Sequence, residues 1–176
     1  MAAEEPLKKW YAVYTRSRHE KLVAEAYVLR EVEFYLPLVT REQHWNDRRA
    51  MVDFPLFPGY LFVHEDFREH TWDKKMRLLE VKGVVRILCD HHGIPSQISD
   101  QEVFNIRTVL EKKMKVDPYR YVFYEGQPLR IRKGPLTGVE GHVMRRKGVH
   151  ELVLQVHLLH QAVVVTLSAA DVEAMG

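Results

Sequence analysis

The glycine-rich stretch GPLTGVEG, from Gly134 to Gly141, has a superficial likeness to a loop that cradles a phosphate. Such loops also carry a lysine followed by a hydroxyl residue, and they open a helix. This stretch lacks that pair, and the alternating residues after it predict a strand. We therefore interpret its glycines as turn residues rather than as a phosphate site.

The ten histidines and the single cysteine are the side chains that could hold a metal ion. His91 and His92 are adjacent, and His157 and His160 are three residues apart in a predicted strand, so the side chains of each pair should point apart. Cys89 adds at most one thiolate, and no glycine-flanked serine or cysteine suggests a nucleophile. The sequence therefore predicts no catalytic residue, no metal and no cofactor. A small metal-dependent hydrolase remains an alternative, and it would have to retain a metal after chelation.

Basic side chains form three clusters, which favours binding to a polyanion. The first lies where the first predicted strand turns into the first helix, the second surrounds the second helix, and the third is near the C-terminus. A formal net charge of +2 is too small to argue for nucleic acid by itself, and a solvated face remains the alternative for any one cluster. The clusters are Arg16, Arg18, His19 and Lys21; Lys74, Lys75, Arg77 and Lys82, with His70 and Thr71 at the helix start as further donors; and Arg130, Arg132, Lys133, Arg145, Arg146 and Lys147.

An aromatic run, PLFPGYLFV from Pro55 to Val63, is the centre around which the other elements are arranged. Its two prolines and its glycine exclude a helix and predict a turn that leads into a strand. A strand with a period of two residues cannot place Phe57, Tyr60 and Phe62 in one core. The rings therefore either close the core of their own domain or leave an apolar docking surface.

Length and composition indicate an ordinary globular protein. The 176 residues suffice for one good-sized domain or two small ones, and 46% of them are apolar and 28% charged. One cysteine excludes an internal disulfide framework and is compatible with a reducing compartment. The N-terminus lacks an apolar core of signal-peptide length, and no run of 18 apolar residues occurs. These features predict a cytoplasmic protein that does not enter the membrane.

Residues 7–113 are predicted to form an α+β domain, an antiparallel four-stranded sheet flanked by helices. Alternating aromatic and β-branched residues mark the strands, and apolar residues at helical spacing mark the helices. Ser99 and Glu102 form a capping box that opens the last helix. Strands are expected at 10–15, 32–39, 51–54, 60–63 and 84–88, a hairpin tip at 41–50, and helices at 18–30, 66–79 and 99–113.

The C-terminal part has a different pattern. Residues 114–124 lose the helical period and contain a proline, which predicts a linker. Residues 125–176 are predicted to form a small β-barrel, because short strands follow one another without a helix. The strand candidates are 129–133, 139–147, 151–159 and 162–167.

These parts, in this order, resemble the NusG family of transcription elongation factors. The resemblance lies in WYAVYT before a basic turn and helix, in PLFPGYLFV, in VKGVVRIL before a capped helix, and in GQPLRIRKGPLTGVEGHVMRRKG, which is similar to the KOW motif. It covers about residues 8 to 174. It implies an N-terminal domain that docks on the clamp helices of bacterial RNA polymerase and a five-stranded KOW barrel on a flexible tether. PLFPGYLFV and VKGVVRIL look closer to specialised paralogues of the RfaH and UpxY types than to the housekeeping member.

The resemblance also implies functional residues. It implies a monomeric, non-enzymatic antitermination factor whose contacts suppress pausing; an RNA-binding or ribosome-associated protein is the alternative. The turn that would meet Rho or a ribosomal protein has no aromatic residue here, which puts both partnerships in doubt. The implied positions are Tyr14, Phe57, Pro58 and Tyr60 for the polymerase; Arg16, Arg18, His19, His70, Thr71, Lys74 and Lys82 for non-template DNA; and Pro135, Leu136 and Val139 for the partner of the KOW domain.

Overall fold

The computed structural model describes residues 7–45, 48–120, 127–146 and 148–167. The chain divides into two compact units, Met1–Ile98 and Ser99–Gly176. Within the described ranges, no helix is long and apolar enough to cross a lipid bilayer. The first unit contains β1 (Lys9–Thr15), α1 (Glu20–Leu29), β2 (Phe34–Tyr35), β3 (Leu38–Trp45), β4 (Arg48–Pro55), β5 (Tyr60–Glu65), α2 (Thr71–Leu79), β6 (Val84–Ile87) and β7 (Gln97–Ile98). The second contains α3 (Asp100–Glu111), β8 (Val116–Arg120), β9 (Gln127–Arg130), β10 (Glu140–Arg146), β11 (Val149–Val156), a 3-10 turn (His157–Leu159) and β12 (Gln161–Thr166).

The sheet of the first unit is antiparallel and has β1 at its centre. Its strands follow the order β2, β5, β1 and β6, and the short strand β7 also pairs with β1. The sheet therefore has five strands rather than the predicted four. The two residues of β7 were too few to give a periodic pattern in the sequence.

One face of this sheet is covered by α1 and α2. Tyr11 and Val13 of β1 belong to the same buried cluster as Val23 and Tyr27 of α1 and Leu78 of α2. The hydroxyl of Tyr27 donates to the carbonyl of Leu78 across 3.3 Å, which satisfies the polar end of a buried ring. Burial raises the pKa of Tyr27 far above its ordinary value. The helices are thus fixed to the strand from which the candidate site extends.

Strands β3 and β4 form a separate two-stranded ribbon. A hairpin was predicted here, but its strands extend through residues 41–45 and 48–50, which were predicted to form the tip. Thr40 donates to the carboxylate of Asp53 across 2.6 Å, and Arg49 lies 3.8 Å from Glu42. Both pairs lie on one face of the ribbon, because Thr40 is directly opposite Asp53 and Glu42 is two residues further along the strand.

The second unit is built on a five-stranded antiparallel sheet with the order β8, β12, β11, β10 and β9. Strand β8 lies within the segment that was predicted as a linker. Gly134 and Gly138 both have positive φ angles, and β10 begins shortly after them at Glu140. The interpretation of the glycine-rich stretch as turn residues before a strand is thereby confirmed.

Helix α3 begins with the predicted capping box, in which Ser99 and Glu102 each accept from the other's backbone N–H. The buried amide of Asn105 donates to the carbonyl of Glu140 (2.7 Å) and accepts from its N–H (3.0 Å). Gln101 donates to the carbonyl of Gly138 across 2.9 Å. These bonds join α3 to the sheet of the second unit, whereas the sequence analysis assigned this helix to residues 7–113. The domain boundaries at 113 and 124 stay predictions.

Candidate docking surface and basic clusters

The turn before β5 is held from two sides by the backbone of Gly59. Its carbonyl accepts from the N–H of Thr15 (2.8 Å), and its N–H donates to the buried carboxylate of Glu20 (2.7 Å). Gly59 has a φ of +83°, and a Cβ atom there would lie 3.1 Å from the ring of Tyr14. Only glycine meets both requirements without strain. The turn therefore presents Pro58 and Tyr60 in one fixed arrangement.

Three side chains form a row across adjacent strands. Tyr60 of β5 is paired with Tyr14 of β1, and Tyr14 is paired with Arg86 of β6. The two tyrosine rings lie 5.2 Å apart between centroids, and the guanidinium carbon of Arg86 is 5.6 Å from the centroid of Tyr14. Both tyrosines are half-buried, and Arg86 and Pro58 are exposed. We call Tyr60, Tyr14 and Arg86 the aromatic row; it is an apolar surface with a cation at one end.

Phe57 does not belong to this surface. Its side chain is 1% exposed and packs against Phe62 with ring centroids 5.8 Å apart. The expectation that the rings at positions 14, 57 and 60 all remain uncovered is wrong for Phe57. The physical reason is that Phe57 precedes the strand: the N–H of Tyr60 donates to its carbonyl (3.0 Å), so the turn folds the ring back beside Phe62. The two-residue period of a strand does not apply across such a turn.

In the first basic cluster, Arg16, Arg18 and Lys21 are exposed. Arg16 and Arg18 follow β1 directly, and within the described ranges neither side chain has a hydrogen bond or ion pair. Arg18 has a φ of +62°. The half-buried ring of His19 bonds through Nδ1 to the carbonyl of Ser17 at 3.0 Å. Two cations at the start of α1 are therefore available to an anionic ligand, and His19 is partly used in the turn.

In the second basic cluster, four side chains donate to backbone carbonyls of their own unit: Thr71, Lys74, Lys75 and Arg77. Lys74 donates to the carbonyl of Asp66 and lies 3.7 Å from the carboxylate of Glu65, and the hydroxyl of Thr71 donates to the carbonyl of Phe67. Lys74 and Thr71 were predicted to contact DNA, and in the structure both donate to backbone carbonyls of their own unit. Their side chains stabilise the start of α2 instead.

Two other members of this cluster remain at the surface. His70 is exposed with a φ of +51°, and its Nδ1 lies 4.0 Å from Asp73. Lys82 is also exposed. Before His70 in the chain, three hydrogen bonds from the Arg68 guanidinium to Asp66 hold the pKa of that carboxyl well below its usual range.

The loop predicted to meet a partner of the second unit has an apolar interior. Leu136 is 1% exposed and Val139 is 0% exposed, and only Pro135 of the three predicted residues lies at the surface. Leu136 and Val139, which were implied as positions for the partner, are instead buried under the turn. Arg130, Arg132 and Lys133 are exposed; the side chains of residues 145–147 lie outside the described ones.

The two histidine pairs do not have the backbone conformations that were predicted from the sequence. The rings of His91 and His92 are 3.8 Å apart between centroids, because these residues lie in a turn and not in a strand. His157 begins a 3-10 turn and His160 follows it. In the described part of the chain, no group of three histidine, cysteine, aspartate or glutamate side chains is placed to hold a metal ion.

Sequence reasoning missed two residues of the site. Arg86 lies in VKGVVRIL, but its position beside Tyr14 depends on the pairing of β1 with β6, and this pairing is interrupted by a register shift. Glu20 was passed over because a glutamate at the start of a helix is ordinarily a surface residue. The sequence around Glu20 does not show that its carboxylate accepts a hydrogen bond from the N–H of Gly59.

The mixed α and β fold, the aromatic row and the neighbouring cations are the features of a protein that binds other macromolecules. A family described as "Transcription termination factor nusG" matches residues 8–107, more than half of the chain. The chain belongs to this family, the NusG family.

Individual relatives agree with this assignment. The "Transcription termination/antitermination protein NusG" of Vibrio vulnificus is 30% identical over 152 residues, covering 80% of this chain and 81% of the relative. The protein of the same name from Pasteurella multocida is 27% identical over 183 residues, with 94% of both chains covered. A solved structure described as "Domain interaction in Thermotoga maritima NusG" has a TM-score of 0.55 at 19% identity, and covers 93% of this chain and 95% of that one. The likeness to the solved structure shows the fold, and the names of the two relatives support a role in transcription.

Proposed function

We propose that this protein is a transcription elongation and antitermination factor that docks on the clamp helices of RNA polymerase. The observation that carries the proposal is the half-buried pair Tyr14 and Tyr60, which lies beside the exposed Pro58 on a rigid turn. Aromatic rings that a partner can desolvate are typical anchors of protein interfaces. In this arrangement Phe57 is a core residue that packs against Phe62 and does not touch the polymerase.

The exposed members of the basic clusters would contact the non-template DNA strand. Arg16 and Arg18 have charges without partners among the described residues, and His70 and Lys82 are exposed. Contacts of this kind position a nucleic acid backbone and weaken as salt rises. We exclude Thr71 and Lys74 from this surface because both donate to backbone carbonyls of their own unit.

The mechanism we propose is a shift of populations and requires no chemical step. A protein that binds the closed clamp more tightly than the open one favours the moving enzyme over paused states. We further propose that the protein acts as a cytoplasmic monomer and that the second unit is a KOW barrel. The assignment to the specialised paralogues remains a prediction.

A second candidate function is binding to RNA or to the ribosome through the second unit. Arg130, Arg132 and Lys133 are exposed around the turn before β10, and this cluster favours the alternative. A partner such as Rho or a ribosomal protein would have to approach through Pro135 and the neighbouring polar residues, because Leu136 and Val139 are buried.

The test is a quantitative pull-down with core RNA polymerase, followed by runoff transcription on templates with and without a terminator. Tyr14→Ala and Tyr60→Ala should each weaken polymerase binding by about 30-fold, which corresponds to about 2 kcal/mol. Trp72→Ala is the matched control, because Trp72 is 72% exposed in the same unit and lies outside the row. Unchanged polymerase binding in both tyrosine variants would contradict the proposal. If the wild type does not bind polymerase and the tyrosine variants still bind RNA, the result would support the second candidate function.

A further inference from the structure

Arg86 places a positive charge at the end of an otherwise apolar surface. Its guanidinium carbon lies 5.6 Å from the ring centroid of Tyr14, close enough for a cation–π contact. The residue is exposed, and among the described residues its side chain has no hydrogen bond or ion pair. The first basic cluster, by contrast, follows the end of β1 and precedes α1. Arg86 therefore belongs to the aromatic row by position.

The position of Arg86 has a consequence for any partner that covers Tyr14. Such a partner must either cover the guanidinium or push it away from the ring. Covering a charge without a counter-charge is strongly unfavourable, because the cation loses its water and gains nothing in return. The ring contact offsets only a part of this cost. A partner that fits the row must therefore supply an acceptor opposite Arg86.

We infer that Arg86 is a specificity-determining residue that pairs with an acidic side chain on the docking partner, next to the apolar residues that cover Tyr14 and Tyr60. This inference rests on the proposed function and identifies the chemistry of the polymerase surface that the row selects. A carboxylate fits best because the planar guanidinium offers parallel N–H donors that match its two oxygens. A backbone carbonyl would leave the charge uncompensated, and helix tips without an acidic residue would be rejected.

A DNA phosphate could also pair with an arginine, but the surroundings of Arg86 favour a protein. Tyr14 separates Arg86 from Tyr60, so a ligand that reaches Arg86 along the row crosses two aromatic rings. Pro58, which precedes Tyr60 in the same turn, is exposed too. This apolar continuity suits a protein helix tip and gives little to a phosphate backbone. Binding to DNA is one of the outcomes that the experiment separates.

The experiment measures the affinity of the full chain for core RNA polymerase over a series of salt concentrations. Arg86→Gln should weaken binding at least about tenfold and reduce its salt dependence, because an interface charge pair is lost. The affinity of Arg86→Lys for polymerase should lie between those of the wild type and Arg86→Gln. Lysine keeps the positive charge but lacks the parallel N–H donors of the guanidinium. Arg48→Gln is the matched control: it removes an exposed arginine of the same unit that lies outside the row.

A reciprocal exchange then identifies the partner residue. Acidic residues at the tip of the polymerase coiled coil are changed one at a time to arginine, and each is tested against Arg86→Glu. One of these combinations should bind at least about tenfold more tightly than either single change alone. Circular dichroism and the thermal midpoint of each variant show whether it is folded.

The outcomes separate the two proposals. If Arg86→Gln binds polymerase like Arg48→Gln while Tyr14→Ala and Tyr60→Ala lose binding, the inference is overturned and the docking surface stands. If the tyrosine variants also bind normally, the proposed function itself fails. If Arg86→Gln loses affinity for single-stranded DNA and keeps its affinity for polymerase, Arg86 contacts a phosphate and the inference is again overturned.

Discussion

Replacing Phe57 by alanine should lower the urea concentration at which the first unit unfolds, because this ring is a core residue. The side chain is 1% exposed and packs against Phe62. Removing a fully buried phenylalanine costs about 3 to 5 kcal/mol, because apolar contacts are lost and a cavity remains. Phe57→Leu keeps most of the volume and should cost less than about 1.5 kcal/mol. Tyr60→Ala, at a half-buried position, should cost less than Phe57→Ala and should mainly weaken polymerase binding.

A urea titration followed by tryptophan fluorescence measures these costs. All three tryptophans lie within residues 1–98, and Trp10 is 7% exposed and stacked on His64 at 4.5 Å, so the signal reports the first unit. A loss of about 4 kcal/mol lowers the midpoint by about 2 M for a typical urea dependence of about 2 kcal/mol per molar. If Phe57→Ala unfolds at the wild-type midpoint but no longer binds polymerase, the ring contacts the partner and our reasoning on its burial is refuted.

Three further substitutions test other parts of the structure. Gly59→Ala should destabilise the first unit by about 1 to 2 kcal/mol in the same titration, because alanine disfavours the positive φ and its Cβ would press on Tyr14; a neutral result would refute the turn geometry. Asp66→Asn should lower the midpoint at pH 7, and the difference from wild type should shrink as the pH falls below about 4, because a carboxyl with a lowered pKa gives its stabilisation only while ionised. A difference that is constant with pH would contradict this. Asn105→Ala leaves the N–H and carbonyl of Glu140 without their partner, and should cost about 1 to 3 kcal/mol and speed hydrogen exchange at the Glu140 amide; unchanged exchange would show that the contact is absent in solution.

Elements that depend on local pattern could be predicted from the sequence. The strand predicted at 10–15 is observed at Lys9–Thr15, and the helix predicted at 18–30 is observed at Glu20–Leu29. The capping box of Ser99 and Glu102 forms as expected. In each case the signal extends over a few neighbouring residues, so no knowledge of tertiary contacts is needed.

Features that depend on distant contacts could not be predicted. The sequence pattern around Lys74 does not show that its ammonium group turns back to the carbonyl of Asp66, eight residues earlier. Phe57 and the pair His91 and His92 were assigned by strand periodicity, which fails where the chain turns. Arg86 reaches Tyr14 only through the pairing of two strands that are far apart in sequence.

The two hydrogen bonds of the Gly59 peptide have a consequence for how bound ligands are arranged. They attach the Pro58–Tyr60 turn to Thr15 on one side of the basic segment and to Glu20 on the other. A displacement of the backbone at Arg16 and Arg18, which lie between these attachments, would strain one of the two bonds or move the turn with it. If a ligand binds these arginines and a partner covers Tyr60, as we propose, the distance between the two bound molecules is therefore set by the backbone of this turn.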